Sequence, residues 1–584
     1  MGANPGLSTA CVTGQSRCRR KYPTDMTFPM NLSAQPRRFL VLAMIASLPV
    51  SNSTAESPAP RTYDVRSFGA AGDGKKVDSP AIQEAIDSAA AAGGGTVTFP
   101  AGTYLSFSLR LKSHVGLHLD HGAVLLAATP GKHAGSYDAP EPNEWDMFQD
   151  FGHSHWQNSL IWGIGLEDIS ITGPGLINGE GLTRRGPGPR RKEAAGDTPT
   201  TLKDAKDASK AVDPEGKGAQ GDEFQSMIGE GNKAIALKLC RNVTLRDFSI
   251  LNGGHFALLA TGVDNFTIDN LKVDSNRDGF DIDCCRNVRI SNCSVNTAND
   301  DAIVLKSSFS LGYARATENV TLTNCQVSGF DPGTFLDGTY GRTQEFAPDR
   351  DRVTGRIKFG TESNGGFRNI TISNCVFERC RGIALETVDG GVLEDVSISN
   401  ITMRDVTTAP IFMRIGARLR GPEGAVPGKI RRISIDNLSV FNADPQYASI
   451  IAGIPGHEIE DISLSNIRIH AAGGGTKEQA ALVLQENEKS YPEPSMFGVT
   501  PSYGFFIRHA KGVRMNNVKL GFLKDDARPP IIAEQCENLS FDGVDAQRVA
   551  GTPAFVLKDV EALRVRNCDG IEDKQIGRAA SASF

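Results

Sequence analysis

The 584-residue chain is short of several things, and each shortage narrows what it can be. It has no basic excess: 62 Lys and Arg against 68 Asp and Glu leave a formal charge of −6, which argues against nucleic acid as a partner. Its 11 cysteines include no doubled C-x-x-C spacing, so a zinc site of that kind is excluded. The apolar run FLVLAMIASLPV, 39–50, is too short to span a bilayer comfortably. Only 22% of residues are charged, while Gly (62), Asn, Ile, Val, Thr and Ser are abundant, which favours one large repetitive domain over several compact ones.

The short apolar run reads instead as an export signal. Arg37 and Arg38 precede it and the small residues SNSTA follow, so 1–55 is taken as a secretory signal peptide with its upstream segment. Met26 and Met30 are alternative starts. A mature chain beginning near Glu56, secreted or periplasmic and free of the membrane once the signal is removed, is expected. Cys293, Cys325, Cys375 and Cys568 each follow Asn and read as small buried residues at one repeated position; Cys284–Cys285 and Cys375–Cys380 are candidate oxidised pairs.

What is present above all is repetition. The phrase NVTLRDFSI at 242 returns as NFTIDNLKV (265), NVRISNCSV (287), NVTLTNCQV (319) and NITISNCVF (369), with looser copies to 562 and an early one at 168. Alternating Val, Ile and Leu mark strands, and the Asn inside each phrase marks a corner, because Asn tolerates left-handed backbone angles. A spacing of about 22–26 residues is that of a solenoid, in which stacked coils share one core. The fold class expected is all-β, a right-handed parallel β-helix with a short N-terminal capping helix (from SPAIQEAIDSAAAA, ending at Gly93) and long loop insertions. One domain over 56–575 is expected, with a disordered insertion at 184–230, further insertions across 330–352, 408–428 and 471–507, and a tail at 576–584.

One place in the repeat is chemically odd. NTANDDAIVLKS, 296–307, sets Asp300 and Asp301 side by side at a strand mouth, and Asp278 of SNRDGFDIDCC lies 23 residues before Asp301, one period away. Neighbouring parallel strands lie about 4.8 Å apart, so Asp278 is expected beside the pair. Phe280 and Ile282 should point inward, leaving Asp281 and Asp283 on the outer wall, and likewise Lys306 beyond Ile303 and Leu305. Three readings follow. Crowded carboxylates can make one a proton donor, as in glycosidases; clustered oxygens can hold calcium, as in a polysaccharide lyase; or the cluster is structural, a β-helix corner that is merely solvated.

These residues resemble the polygalacturonases of glycoside hydrolase family 28. NRDGFD (276–281) is similar to the family's N-T-D-G-x-D motif and NDD (299–301) to its G-D-D or Q-D-D motif. TYDVRSFGAAGDGKKVDSPAIQEAID (62–87), GPGLINGEG (173–181), NGGHF (252–256) and YPEPSMFG with YGFFIRH (491–509) also resemble family segments. The resemblance implies an inverting glycosidase of pectin-type polysaccharides or oligosaccharides, monomeric, needing no metal or cofactor. Asp300 would be the general acid, and Asp278 and Asp301 would activate water across a gap wider than in retaining enzymes.

Two departures accompany the likeness. Thr354 stands where the family's G-H-G histidine falls, and Ala384 and Glu386 replace the Arg and Lys of its R-I-K. A non-catalytic glycan-binding β-helix is a further alternative, to which Thr354 and Ala384 point. Arg356 and Lys358, in TGRIKFG, should face outward on the coil after Asp301, either as a substitute carboxylate grip or as ordinary surface cations. Substrate-binding candidates are therefore Lys306, Arg356, Lys358, Glu386, Asp281 and His255, with Glu386 also able to bind neutral hydroxyls. His153 and His155 are further candidates. Of the three Trp, Trp162 reads as core, while Trp145 and Trp156 could wall a cleft. Insertions beside the groove would favour exo action.

Overall fold

Each copy of the repeated phrase carries two left-handed corners five residues apart, and these corners set the coil. Asn265, Asn287, Asn319 and Asn369 hold φ of 53–56°, and the second position, Asn270, Asn292, Asn324 and Asn374, holds 55–58°. Asn accepts this backbone more readily than other residues bearing a Cβ. The amides then bond from coil to coil: Asn287 to Asn265 (3.2 Å), Asn319 to Asn287 (3.1 Å) and Asn369 to Asn319 (2.7 Å) on one edge. Asn324 to Asn292 (3.3 Å), Asn374 to Asn324 (3.2 Å) and Asn400 to Asn374 (3.0 Å) form the second edge.

The computed structural model describes residues 61–184, 224–347 and 352–584, which fall in one compact unit. Between corners run three short strands per coil, as in Asp278–Asp283, Arg286–Ser291 and Ser294–Asn296. Each pairs in parallel with its equivalent one coil on, Val288 with Val320 and Val295 with Val327. In later coils the second and third strands merge into long ones such as Val392–Val406 and Lys429–Ala443. This is a parallel β-helix. Inward Val, Ile, Leu and Phe stack in files through one continuous core, Phe266, Val288, Val320, Ile370, Val396 and Ile433 among them.

Helix Ser79–Ala91 covers the first coil with Ile82, Ala85, Ile86 and Ala89, the i, i+3, i+4, i+7 face of an amphipathic helix. At the other end, 576–584 is not a tail: Lys574–Ser583 is a strand lying antiparallel on Phe555–Arg566, the sheet's one antiparallel strand pairing among the described residues. Its residues show no apolar alternation, and only Ala579 is buried, so the strand could not be read from the repeat. The signal-peptide region 1–55 and most of the insertion read at 184–230 lie outside the described residues; within the latter, a helical turn at 224–226 leads to buried Met227. The nine described cysteines are all buried and free, so neither Cys284–Cys285 nor Cys375–Cys380 is joined. They serve as small core-lining residues, as the repeated Asn-Cys context had indicated for four of them.

Candidate active site

The corner after Ser294–Asn296 delivers Asp300 and Asp301 to the mouth of the strand Ile303–Ser307, beside Asp278 at the start of Asp278–Asp283. Phe280 pairs with Ile303, which puts Asp278 level with Asp301, and the Asp301 N–H donates to Asp278 Oδ1 at 3.3 Å. The three carboxylates each offer an oxygen within 4.8 Å of the others. The expected register is therefore present.

The site is not an open wall. Asp278, Asp300 and Asp301 keep only 5%, 3% and 5% of their surface, and Asp281, expected on the solvated side, keeps none. Asp281 does point outward from the coil, as its alternation with Phe280 and Ile282 demands. Insertions then cover it: His153 from the loop before Ile161 stands 3.8 Å from Asp281, and Arg420 from the loop after Ile415 reaches Glu362 at 2.6 Å.

Charges are paired in a chain across this face. Lys306 lies 3.4 Å from Asp281 and 3.1 Å from Glu362; burial would lower its pKa, but Glu362, Asp281 and Asp278 hold it well above the ordinary value. Arg356 donates to Asp301 at 2.7 Å and to Glu493 at 2.6 Å. Lys358 stands 3.3 Å from Asp301 and 3.6 Å from Glu386. Both cations face outward one coil after Asp301 as expected, yet neither is a surface cation, each being 1% exposed. Carboxylates of the chain, Asp301, Glu493 and Glu386, already face them.

The acids respond to these surroundings differently. Burial raises Asp278 well above the usual carboxylate range, and Asp300 and Asp281 push it further. Burial also raises Glu386, and Lys358 and Arg356 only partly offset this, leaving it near 7. Glu493 is buried too, but Arg356, Arg381 and Lys358 bring it down to about 2. His255 is lowered by burial and then by Arg277, so its ring is neutral. Two groups converge on His255 Nδ1: Arg277 Nη1 at 3.2 Å and the Arg184 carbonyl oxygen at 3.1 Å.

Several participants escaped the sequence. Arg277, inside NRDGFD itself, donates to Asp300 at 3.1 Å and is held by His255 behind it. Its position between two motif residues was the available sign. Glu493, in YPEPSMFG, takes Arg356 and, at 2.8 Å, Arg381; Glu362 gathers Lys306 and Arg420. Thr354 and Ala384 are both fully buried, and the Thr354 hydroxyl has no hydrogen-bond partner. The Trp reading is reversed. Trp156 is the core residue, 0% exposed with its indole N–H on Thr261 at 3.1 Å, whereas Trp162 is partly exposed and donates to Asp138 at 2.8 Å. Trp145 stacks on Phe148. His155 bonds to Asp146 at 3.1 Å, in the same loop and away from the trio's ion pairs.

Comparison with known proteins agrees with this architecture. A family described as rhamnogalacturonase A/epimerase, pectate lyase-like, matches residues 62–120, and one described as a right handed beta helix region matches 220–344. A probable polygalacturonase of Vitis vinifera is 22% identical over 462 residues, 75% of this chain and 80% of that protein. The exopolygalacturonase of Thermotoga maritima superposes with a TM-score of 0.55 at 20% identity, over 79% of this chain and 92% of its own. The family 28 exopolygalacturonase of Yersinia enterocolitica gives 0.54 at 20% identity, over 88% and 79%. Sequence repeat, parallel coils and these likenesses together make the chain a right-handed parallel β-helix, similar over three quarters of its length to a probable polygalacturonase.

Proposed function

We propose that the chain is an exported glycoside hydrolase that cleaves α-glycosidic bonds in pectin-type polysaccharides or their oligomers. The observation that carries this reading is the trio Asp278, Asp300 and Asp301, drawn from two successive rungs to within 4.8 Å and almost withdrawn from water. Such crowding favours the protonated form of a carboxyl, as the raised pKa of Asp278 indicates, and a proton is what a general acid needs. Asp300 protonates the leaving oxygen. Asp278 and Asp301 together hold the attacking water on the far side of the anomeric carbon. The inverting outcome rests on the likeness of NRDGFD and NDD to the family 28 motifs. Burial and the neighbouring Asp300 and Asp281 raise the pKa of Asp278, and Arg277 positions Asp300 beside it.

Exo action is supported by the loops bearing His153, Arg420 and Glu493, which converge on one face of the coil and leave the trio nearly enclosed. The two solved exopolygalacturonases share this fold. Export rests on the basic head and apolar run at 37–55.

A calcium-dependent lyase fits the same residues less well. Arg356 and Lys358 stand on Asp301 and Arg277 on Asp300, so a divalent cation would enter against three positive charges. The test is reducing-end release from a panel of pectic polysaccharides and oligosaccharides, with the product anomer followed by NMR. New reducing ends of inverted configuration, unaffected by chelator, are expected and should vanish in Asp300→Asn with the fold intact. An unsaturated product absorbing in the ultraviolet would replace hydrolysis with elimination.

A further inference from the structure

We propose that the sugar unit seated beside Asp301 is neutral and is recognised through its hydroxyls by Glu386, a specificity-determining residue; this deepens, and rests on, the hydrolase reading above.

Glu386 is wholly buried, and neither of its carboxylate oxygens has a hydrogen-bond partner. Its nearest cation is Lys358 at 3.6 Å, and Lys358 is itself 3.3 Å from Asp301, so Glu386 stands one side chain away from the trio. Buried acceptors left without donors are costly and uncommon unless a ligand or water completes them. An ionised carboxylate accepts only, so its complement is a donor, and a sugar presents hydroxyls. Asp281, on the opposite flank, repeats the pattern: 0% exposed, with both oxygens lacking hydrogen bonds.

The cations point the same way. Arg356 is shared by Asp301 and Glu493, Lys358 by Asp301 and Glu386, and Lys306 by Asp281 and Glu362. A uronate carboxylate entering beside Glu386 would meet like charge and would have to draw a cation out of an existing pair. A hydroxymethyl group in the same place does neither. Ala384, next to Lys358 on the following rung, adds no charge.

The discriminating experiment uses a matched pair: an oligogalacturonide and its carboxyl-reduced counterpart, which differ only in bearing carboxylate or hydroxymethyl groups. Binding to Asp300→Asn is measured by calorimetry at pH 8, where Glu386 is ionised. The reduced oligosaccharide is expected to bind at least about tenfold tighter, and adding Glu386→Gln should bring the two within about threefold. Gln keeps the volume and removes the charge; an unchanged melting temperature confirms the fold, and the comparison in the Asp300→Asn background alone does not depend on that second variant. Tighter or equal binding of the uronate form, binding of neither, or a ratio indifferent to Glu386→Gln overturns the proposal. Reducing-end release by the unsubstituted enzyme separates the two readings. A tenfold binding preference without hydrolysis of either compound sinks the hydrolase reading alone, whereas efficient hydrolysis with the uronate form preferred sinks this one alone.

Discussion

Asp278 is a carboxylate with almost no water and two acidic neighbours, Asp300 and Asp281. Its raised pKa means the folded chain holds a proton that the unfolded chain releases, so stability falls as pH climbs past the ordinary carboxylate range toward the folded value. Asp278→Asn removes that penalty. It is expected to be more stable than the parent at neutral pH by about 1 kcal/mol, measured by denaturant unfolding, while losing activity by about 10³-fold or more. Asp300→Asn and Asp301→Asn are expected to lose activity to a similar degree, chiefly in kcat, in the reducing-end assay. At this scale the sequence was informative wherever periodicity applied: one period of 23 residues was enough to put Asp278 beside Asp301. Arg277 was missed because the motif it interrupts carries a small neutral residue there, and motif matching discounts the mismatch that turns out to hold Asp300.

The insertion between the strands Ile459–Gly473 and Phe505–Lys524 shows what periodicity cannot convey. It carries Glu493 to Arg356, 137 residues away in sequence, and to Arg381. No register links an excursion to the rung it covers, so this contact had no trace in the repeat, although YPEPSMFG had been singled out. Removing one partner of a buried ion pair strands the others. Glu493→Gln is expected to cost about 3–5 kcal/mol, measured by denaturant unfolding. The pH dependence has a definite sign. Glu493 is depressed from 4.5 to about 2, so its contribution is complete above the unfolded value and is lost as pH falls from about 4.5 toward 2. Thermal melts over that window should therefore decline more steeply for the parent than for Glu493→Gln.

For the molecule as a whole, the coiled stacking, the strand faces and the buried cysteine file were all legible, since each is a property repeated along the chain. The last strand and the near-closure of the site were not, because each occurs once. Both ends of the stack are covered, by Ser79–Ala91 at one and by Lys574–Ser583 at the other. Deleting 574–584 bares the edge of Phe555–Arg566 and is expected to cause concentration-dependent self-association, read by size-exclusion chromatography with light scattering. Finally, Ile303 and Ile357 sit on adjacent rungs although more than fifty residues of chain separate them. Where neighbours in space are joined by detours of arbitrary length, a lineage can lengthen, swap or delete the detour and leave the reacting atoms at their old separation. Variation in the detours and constancy in the rungs thereby fall to different stretches of polypeptide, joined where Glu493 meets Arg356.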